Sequence, residues 1–266
     1  EIFNLLEEKI KNTFSNFEIF YFFKKNLRMI LFLIQNNILK IDESIYRYII
    51  NNKKIKQRYI LYLYPEMKEF INPTDCKYYE DEISKINDYE IYRQWGENEN
   101  YLCTLIRKDL CEEFITYYHK TNISLTNTRL KPQIFETNSY LIDKEPTLIE
   151  YATFFGSIQI FQYLRLQQVE LKPSLWLYAI HSNNPDMIHF LEDYDVIIPY
   201  KSYNECYNEA IKCYHNGIAN YIKECLMNNI YGIKNEFKYH NYSFIDTKSI
   251  YPHERCLINY SDINSC

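Results

Sequence analysis

Apolar side chains recur at helical spacing along nearly the whole chain. Leu27, Ile30, Leu31 and Ile34 stand at i, i+3, i+4 and i+7, which marks one buried face of a helix. Leu105, Phe114 and Tyr117 begin a similar pattern around the turn near Lys108-Asp109. Alternating strand patterns with hairpin turns are absent, and Asn216-Gly217 sits between two helical patterns rather than two strands. The predicted fold class is therefore all-α.

Breakers fall between the helical runs. Asn72-Pro73-Thr74-Asp75 and Lys131-Pro132-Gln133 read as loops, and Lys144-Glu145-Pro146 leads into a helix with Thr147 near its start. In Asn183-Asn184-Pro185-Asp186, Asn tolerates the left-handed conformation that ends one helix, and Pro is preset for the first turn of the next. Gly156 holds the corresponding place one unit earlier, so both positions are predicted to have positive φ.

That correspondence belongs to a repeat. TLIEYATFFGSIQIFQYL from Thr147 and SLWLYAIHSNNPDMIHFL from Ser174 align at a spacing of 27 residues. The alignment pairs Ala152 with Ala179, Ile160 with Met187, Tyr163 with Phe190 and Leu164 with Leu191. A fixed period of this length means stacked two-helix units, none of which buries its apolar face alone. A weaker copy runs over residues 207–226 with Ala210 in the alanine position, and another from Leu105 puts Asp109 in the place of Gly156. Residues 21–38 align more loosely, with Lys24 in the place of Gly156 and one residue inserted, and 74–100 fit least well. The expected organisation is an N-terminal helical region over 1–100, a repeat array over 101–230, and a tail or degenerate repeat over 231–266. The alanines let the first helices of neighbouring units approach, so enlarging Ala152 or Ala179 to Leu is expected to cost roughly 1–3 kcal/mol.

Composition narrows the classes of function. The 47% hydrophobic content over 266 residues is ample for a core. With a net charge of −5 and Lys and Arg scattered among acidic residues, there is no concentrated basic face for phosphates. Nucleic acid is therefore not an expected partner. The densest basic stretch, Lys53-Lys54-Ile55-Lys56-Gln57-Arg58, reads as solvated charge at a helix entry. The most hydrophobic region, residues 17–34, is broken by Lys24, Lys25 and Arg28, and a membrane span needs about 20 apolar residues. Only 4 glycines occur, far apart, which excludes a dinucleotide fingerprint or a phosphate-cradling loop. The 8 cysteines lack paired spacing, and no leader is visible in a chain that begins at Glu1 rather than Met. The expectation is an intracellular, cytoplasmic protein.

The repeat carries a resemblance. Thr147-Leu148-Ile149-Glu150-Tyr151-Ala152-Thr153-Phe154-Phe155-Gly156 resembles the ankyrin signature T-P-L-H-x-A-A-x-x-G, and Ile160, Tyr163 and Leu164 fall on its V-x-x-L-L positions. Leu148 replaces Pro, Glu150 and Leu177 replace His, Thr153 and Ile180 replace the second Ala, and the period is shorter than the usual one of about 33 residues. A clipped finger between helix pairs accounts for that shortening. More specifically, the chain resembles ankyrin-repeat proteins of a large divergent family expanded in parasitic protists, in which a helical region of unassigned function precedes the repeats. Residues 101–229 carry this strongly and 17–70 less so. The resemblance implies an ankyrin-like helical-hairpin solenoid, a protein partner, no catalytic residues, no cofactor and no small-molecule substrate. It also implies that further repeats follow. By position it assigns partner contact to the exposed end of the first helix, at Phe154 and Phe155 and then His181 and Ser182. The fingers would lie near Lys144-Glu145 and Glu170-Leu171-Lys172. Inward packing of Phe154 and Phe155, against a shortened finger or the N-terminal helices, is the alternative. The second functional reading is a substrate-recruiting or regulatory subunit of an enzyme complex such as a ubiquitin ligase.

Metal ligation and nucleophilic chemistry compete with core packing for the Cys and His residues. Cys206, Cys213, His215 and Cys225 have ligand chemistry for zinc, but the close C-x2-C spacing of structural zinc sites is missing. Free Cys is also a common small core residue, so core is the expected role. His181 and His189 are expected on different helices across the Asn183 turn, without an evident third ligand. No local pattern supports a Cys–His nucleophile. Asp81-Glu82 and Glu112-Glu113 read as solvated faces.

Overall fold

A computed structural model describes residues 2–142, 144–199, 202–227, 236 and 238–244, with side chains from Glu8 to residue 243 among these. Helices and turns account for the regular structure, and no strand occurs among the described residues. No described helix is long and apolar enough to cross a membrane. The chain divides into two compact units, Glu1–Thr104 with Arg129–Pro146 and Leu105–Thr128 with Thr147–Cys266. The expected tail over 231–266 lies outside the described residues apart from Glu236 and 238–244.

The first unit contains α1 (Ile2–Thr13), α2 (Asn16–Phe23), α3 (Leu27–Gln35), α4 (Glu43–Asn51), α5 (Lys56–Tyr62), α6 (Tyr64–Met67), α7 (Pro73–Ser84) and α8 (Tyr89–Trp95). Leu27, Ile30, Leu31 and Leu33 are buried on α3, which matches the helical stripe except that Leu33 takes the deep position and Ile34 is half-buried. Phe20 of α2, Ile45 and Ile49 of α4, and Tyr62 of α5 complete the centre of the core. Phe135, from the segment that returns to this unit, sits against the rings of Tyr62, Tyr89 and Tyr92. Phe22 of α2, in contrast, is 68% exposed. Lys53, Lys54 and Lys56 are exposed at the entry to α5, whereas Arg58 turns inward and donates to the Ile134 carbonyl at 3.3 Å.

Asn72-Pro73 is a helix start rather than a loop. Asn72 accepts from the Asp75 N–H, and Pro73 occupies the first helical position, where its missing N–H costs nothing. Lys24 is right-handed at the end of α2, so the α2–α3 turn differs from the one at Gly156. The far end of α3 is closer to the repeat pattern. Asn37 has φ 55°, and the Ile38 N–H donates to the Leu33 carbonyl.

The division between units falls inside α9 (Tyr101–Arg107), which a turn at 108–110 joins to α10 (Cys111–Thr121). A short α11 (Ser139–Ile142) belongs to the first unit. Three further helix pairs follow: α12 (Leu148–Phe155) with α13 (Ile158–Leu166), α14 (Leu175–Ser182) with α15 (Pro185–Asp193), and α16 (Asn204–Lys212) with α17 (Asn216–Tyr221). In each pair one residue of the connecting turn is left-handed: Asp109 (φ 51°), Gly156 (67°), Asn183 (50°) and Tyr214 (60°). The turn of the last pair is thus at Tyr214, and Asn216-Gly217 opens α17 instead of separating two helices. The second helices of the middle pairs also end alike. Gln168 and Asp195 have positive φ, and the Val169 and Val196 N–H groups donate to Leu164 and Leu191.

Packing repeats as well. α14 lies against α12 on one side and α16 on the other, with Ala152, Ala179 and Ala210 all fully buried. Small side chains at these positions let the helix backbones come close. Ser157, just after the left-handed Gly156, donates to the Ile106 carbonyl at 2.6 Å, and His215, just after Tyr214, stands 2.7 Å from the Ile180 carbonyl. Ile106 and Ile180 each lie three residues before the turn of the preceding pair. Asp109 adds a bond of another kind, since its two carboxylate oxygens cap the N–H groups of Gln159 and Ile160 at 2.9 Å. At Gly156 a Cβ would meet Asn184 atoms at 3.2 and 3.3 Å in the next pair. Gly156→Ala is expected to lower stability by about 1–2 kcal/mol, from left-handed strain alone before any contact is counted, as measured by urea denaturation.

Candidate functional site

The capping box of α12 builds one wall of a cleft in the second unit. Thr147 accepts from the Glu150 N–H, and Glu150 accepts in return from the Thr147 N–H at 2.8 Å. Ser174 has no equivalent acidic residue three positions on. It donates instead to the other Glu150 oxygen at 2.8 Å, which links successive helix pairs. Thr126, Asn127, Thr147, Glu150, Glu170 and Lys172 are among the residues lining the cleft, which has a volume of about 210 Å³. Glu170 and Lys172 are exposed and 3.6 Å apart on its rim.

A second constellation stands at the other end of α12. Phe154 is only 6% exposed, so it does not contribute to a solvent-facing stripe. Its ring stacks on His181 of the next pair at 5.1 Å and 23°. Phe155 is half-buried beside Tyr151, with the Arg107 guanidinium 6.0 Å from its ring. Ser182 closes the local turn, donating to the Ala179 carbonyl and accepting from the Asn184 N–H. Lys144 and Glu145 are exposed in the first unit, where the Lys144 ammonium lies 4.0 Å from the Tyr140 ring centre and the Glu145 carbonyl accepts from Arg129. Of the positions assigned by resemblance, Lys144 and Glu145 belong to the first unit and the others to the second, where Glu170 and Lys172 line the cleft described above.

His181 reaches further along the array than its sequence neighbours indicate. Its Nε2 is 3.1 Å from Glu209 Oε1, and its Nδ1 is 3.6 Å from Cys213 Sγ. Lys212 approaches the same Glu209 oxygen at 2.8 Å. Burial works to raise the Glu209 carboxyl, but its bonds to His181 and Lys212, with their charges, outweigh it and hold the group down at about 2. Burial pushes the Cys213 thiol up to about 11, the Glu209 charge adding to this and Lys212 opposing it. Cys213 is thus a thiol at neutral pH despite its imidazole neighbour, not an activated nucleophile.

The set Cys206, Cys213, His215 and Cys225 does not converge. Cys206 is buried in α16 with its thiol pushed up to about 12 by burial, Cys225 is exposed, and His215 is engaged with Ile180. His181 and His189 do lie on different helices, α14 and α15. Among the described residues, the donors that come together are His181, Glu209 and Cys213, all within 4.8 Å of one another. The signal that could have found them is the period itself, since Glu209 and Cys213 stand about one repeat beyond His181.

No family model, no curated protein and no solved structure matches the chain.

Proposed function

We propose that the chain is a non-enzymatic protein-interaction scaffold whose second unit is an ankyrin-like array of helical hairpins. The observation that carries this reading is the left-handed residue in each inter-helix turn, at Asp109, Gly156, Asn183 and Tyr214. An array of this kind gives each unit the same interior and leaves its fingers free to vary, which suits recognition of a partner. The partner surface is the finger cleft at Glu170 and Lys172, where exposed charges of both signs flank the capped start of α12. Exchanging these two charges, Glu170→Lys with Lys172→Glu, preserves net charge and leaves the buried residues untouched. Affinity capture from extract is expected to recover a recurrent protein with the native chain and to lose it with the exchanged variant at unchanged melting temperature. Equal recovery by both would reject this surface, and absence of any recurrent partner would reject the scaffold.

A further inference from the structure

We propose that His181, Glu209 and Cys213 form a transition-metal site, suited to zinc, that ties two successive helical hairpins together. The donors come from two elements that already pack against each other: His181 near the end of α14, Glu209 on α16, and Cys213 at the end of α16. A tetrahedral zinc ion takes nitrogen at about 2.0–2.1 Å and sulfur at about 2.3 Å, which sets the nitrogen–sulfur edge at roughly 3.6 Å. His181 Nδ1 and Cys213 Sγ stand 3.6 Å apart. The carboxylate is the donor that has to move, from beside Nε2 toward the ion, and all three ligand atoms begin within 4.8 Å. That movement draws Glu209 away from Lys212, which is half-exposed and can turn to water.

The chemistry of the set selects the metal. Imidazole, thiolate and carboxylate together suit a borderline-soft ion, whereas calcium and magnesium take oxygen ligands almost alone. Charge also balances. Binding releases the Cys213 thiol proton to solvent, together with the His181 proton where the imidazole starts charged, and the resulting thiolate and the Glu209 carboxylate neutralise a divalent ion beside a neutral ligating imidazole. A neutral assembly is tolerable where the His181 and Glu209 side chains are only 12% and 18% exposed. The imidazole is already positioned, since Phe154 stacks against its face. Three protein ligands leave the fourth position to water.

Cobalt(II) is the probe, added alone to the reduced full chain. The expected result is a thiolate-to-cobalt charge-transfer band in the near ultraviolet and four-coordinate bands in the visible, saturating at about one equivalent. Cys213→Ser is expected to abolish the charge-transfer band. His181→Asn and Glu209→Gln are expected to weaken binding by on the order of 10-fold or more, and exposed Cys225→Ser to leave it unchanged. Zinc should displace cobalt and protect Cys213 from iodoacetamide in the native chain, as read cysteine by cysteine in mass spectra. A full charge-transfer band in Cys213→Ser, or alkylation of Cys213 at the same rate with and without zinc, would overturn the site. The alkylation test needs no variant, so a misfolded substitution cannot obscure the answer.

Discussion

Glu66→Ala is expected to destabilise the first unit by about 3–5 kcal/mol, the cost of leaving a buried charge without its partner. Arg93 is 3% exposed, and Glu66 grips its terminal nitrogen with both carboxylate oxygens at 2.6 and 2.7 Å. The rings of Tyr62 and Tyr89 stand 5.9 and 5.5 Å from the guanidinium, and the remaining ion partner, Glu90, is 64% exposed. Burial pushes the Tyr62 hydroxyl up to about 12 and raises Tyr89 as well, with Arg93 opposing both, so neither ring supplies a countercharge. The cost comes from the stranded charge, not from a favourable pair, and that distinction is measurable. Glu66→Leu combined with Arg93→Met should recover most of the loss, because an apolar pair of similar volume removes both desolvation penalties. Trp95, 47% exposed at the end of α8, is a fluorescent reporter within the same unit.

Trp176→Ala is expected to cost the second unit about 3–5 kcal/mol in chemical denaturation. The side chain is 1% exposed, so its removal leaves a cavity as well as losing transfer energy. Its indole N–H donates to the Val196 carbonyl at 2.9 Å, at the end of the second helix of the same pair, and Tyr203 meets the ring edge-on at 5.2 Å. One residue therefore braces its own hairpin and the approach to the next. Trp176→Phe keeps most of the volume and lacks only the donor. It should lose markedly less, the remaining penalty being an unsatisfied buried carbonyl worth roughly 1–3 kcal/mol.

Local grammar was legible where a single residue decides the backbone. Gly156 and Asn183 are left-handed as their side chains allow, and Pro185 opens α15 with Asn184 as its cap. Tyr214, at φ 60°, was not legible, because nothing in an aromatic side chain favours positive φ. Asn72-Pro73 misled because the same dipeptide serves a loop and a helix start, and only the Asp75 N–H bonded to Asn72 separates the two. The site was harder still. The Arg93–Glu66 pair joins residues 27 positions apart in a region without a repeat, so no spacing announced it. Partner contact and inward packing both stayed open for Phe154, because the His181 ring that stacks on it belongs to the neighbouring hairpin. His181, Glu209 and Cys213 are invisible to any window shorter than one repeat.

Coupling between neighbouring hairpins is the claim on which the rest depends, and hydrogen exchange on Ala179→Leu tests it most directly. Overpacking this fully buried alanine of α14 should cost roughly 1–3 kcal/mol. The account predicts that amide protection falls in α12 and α16, the helices on either side of α14, while α3 and α4 of the first unit keep theirs. Protection lost evenly across both units, or unchanged in α12 and α16, would contradict it.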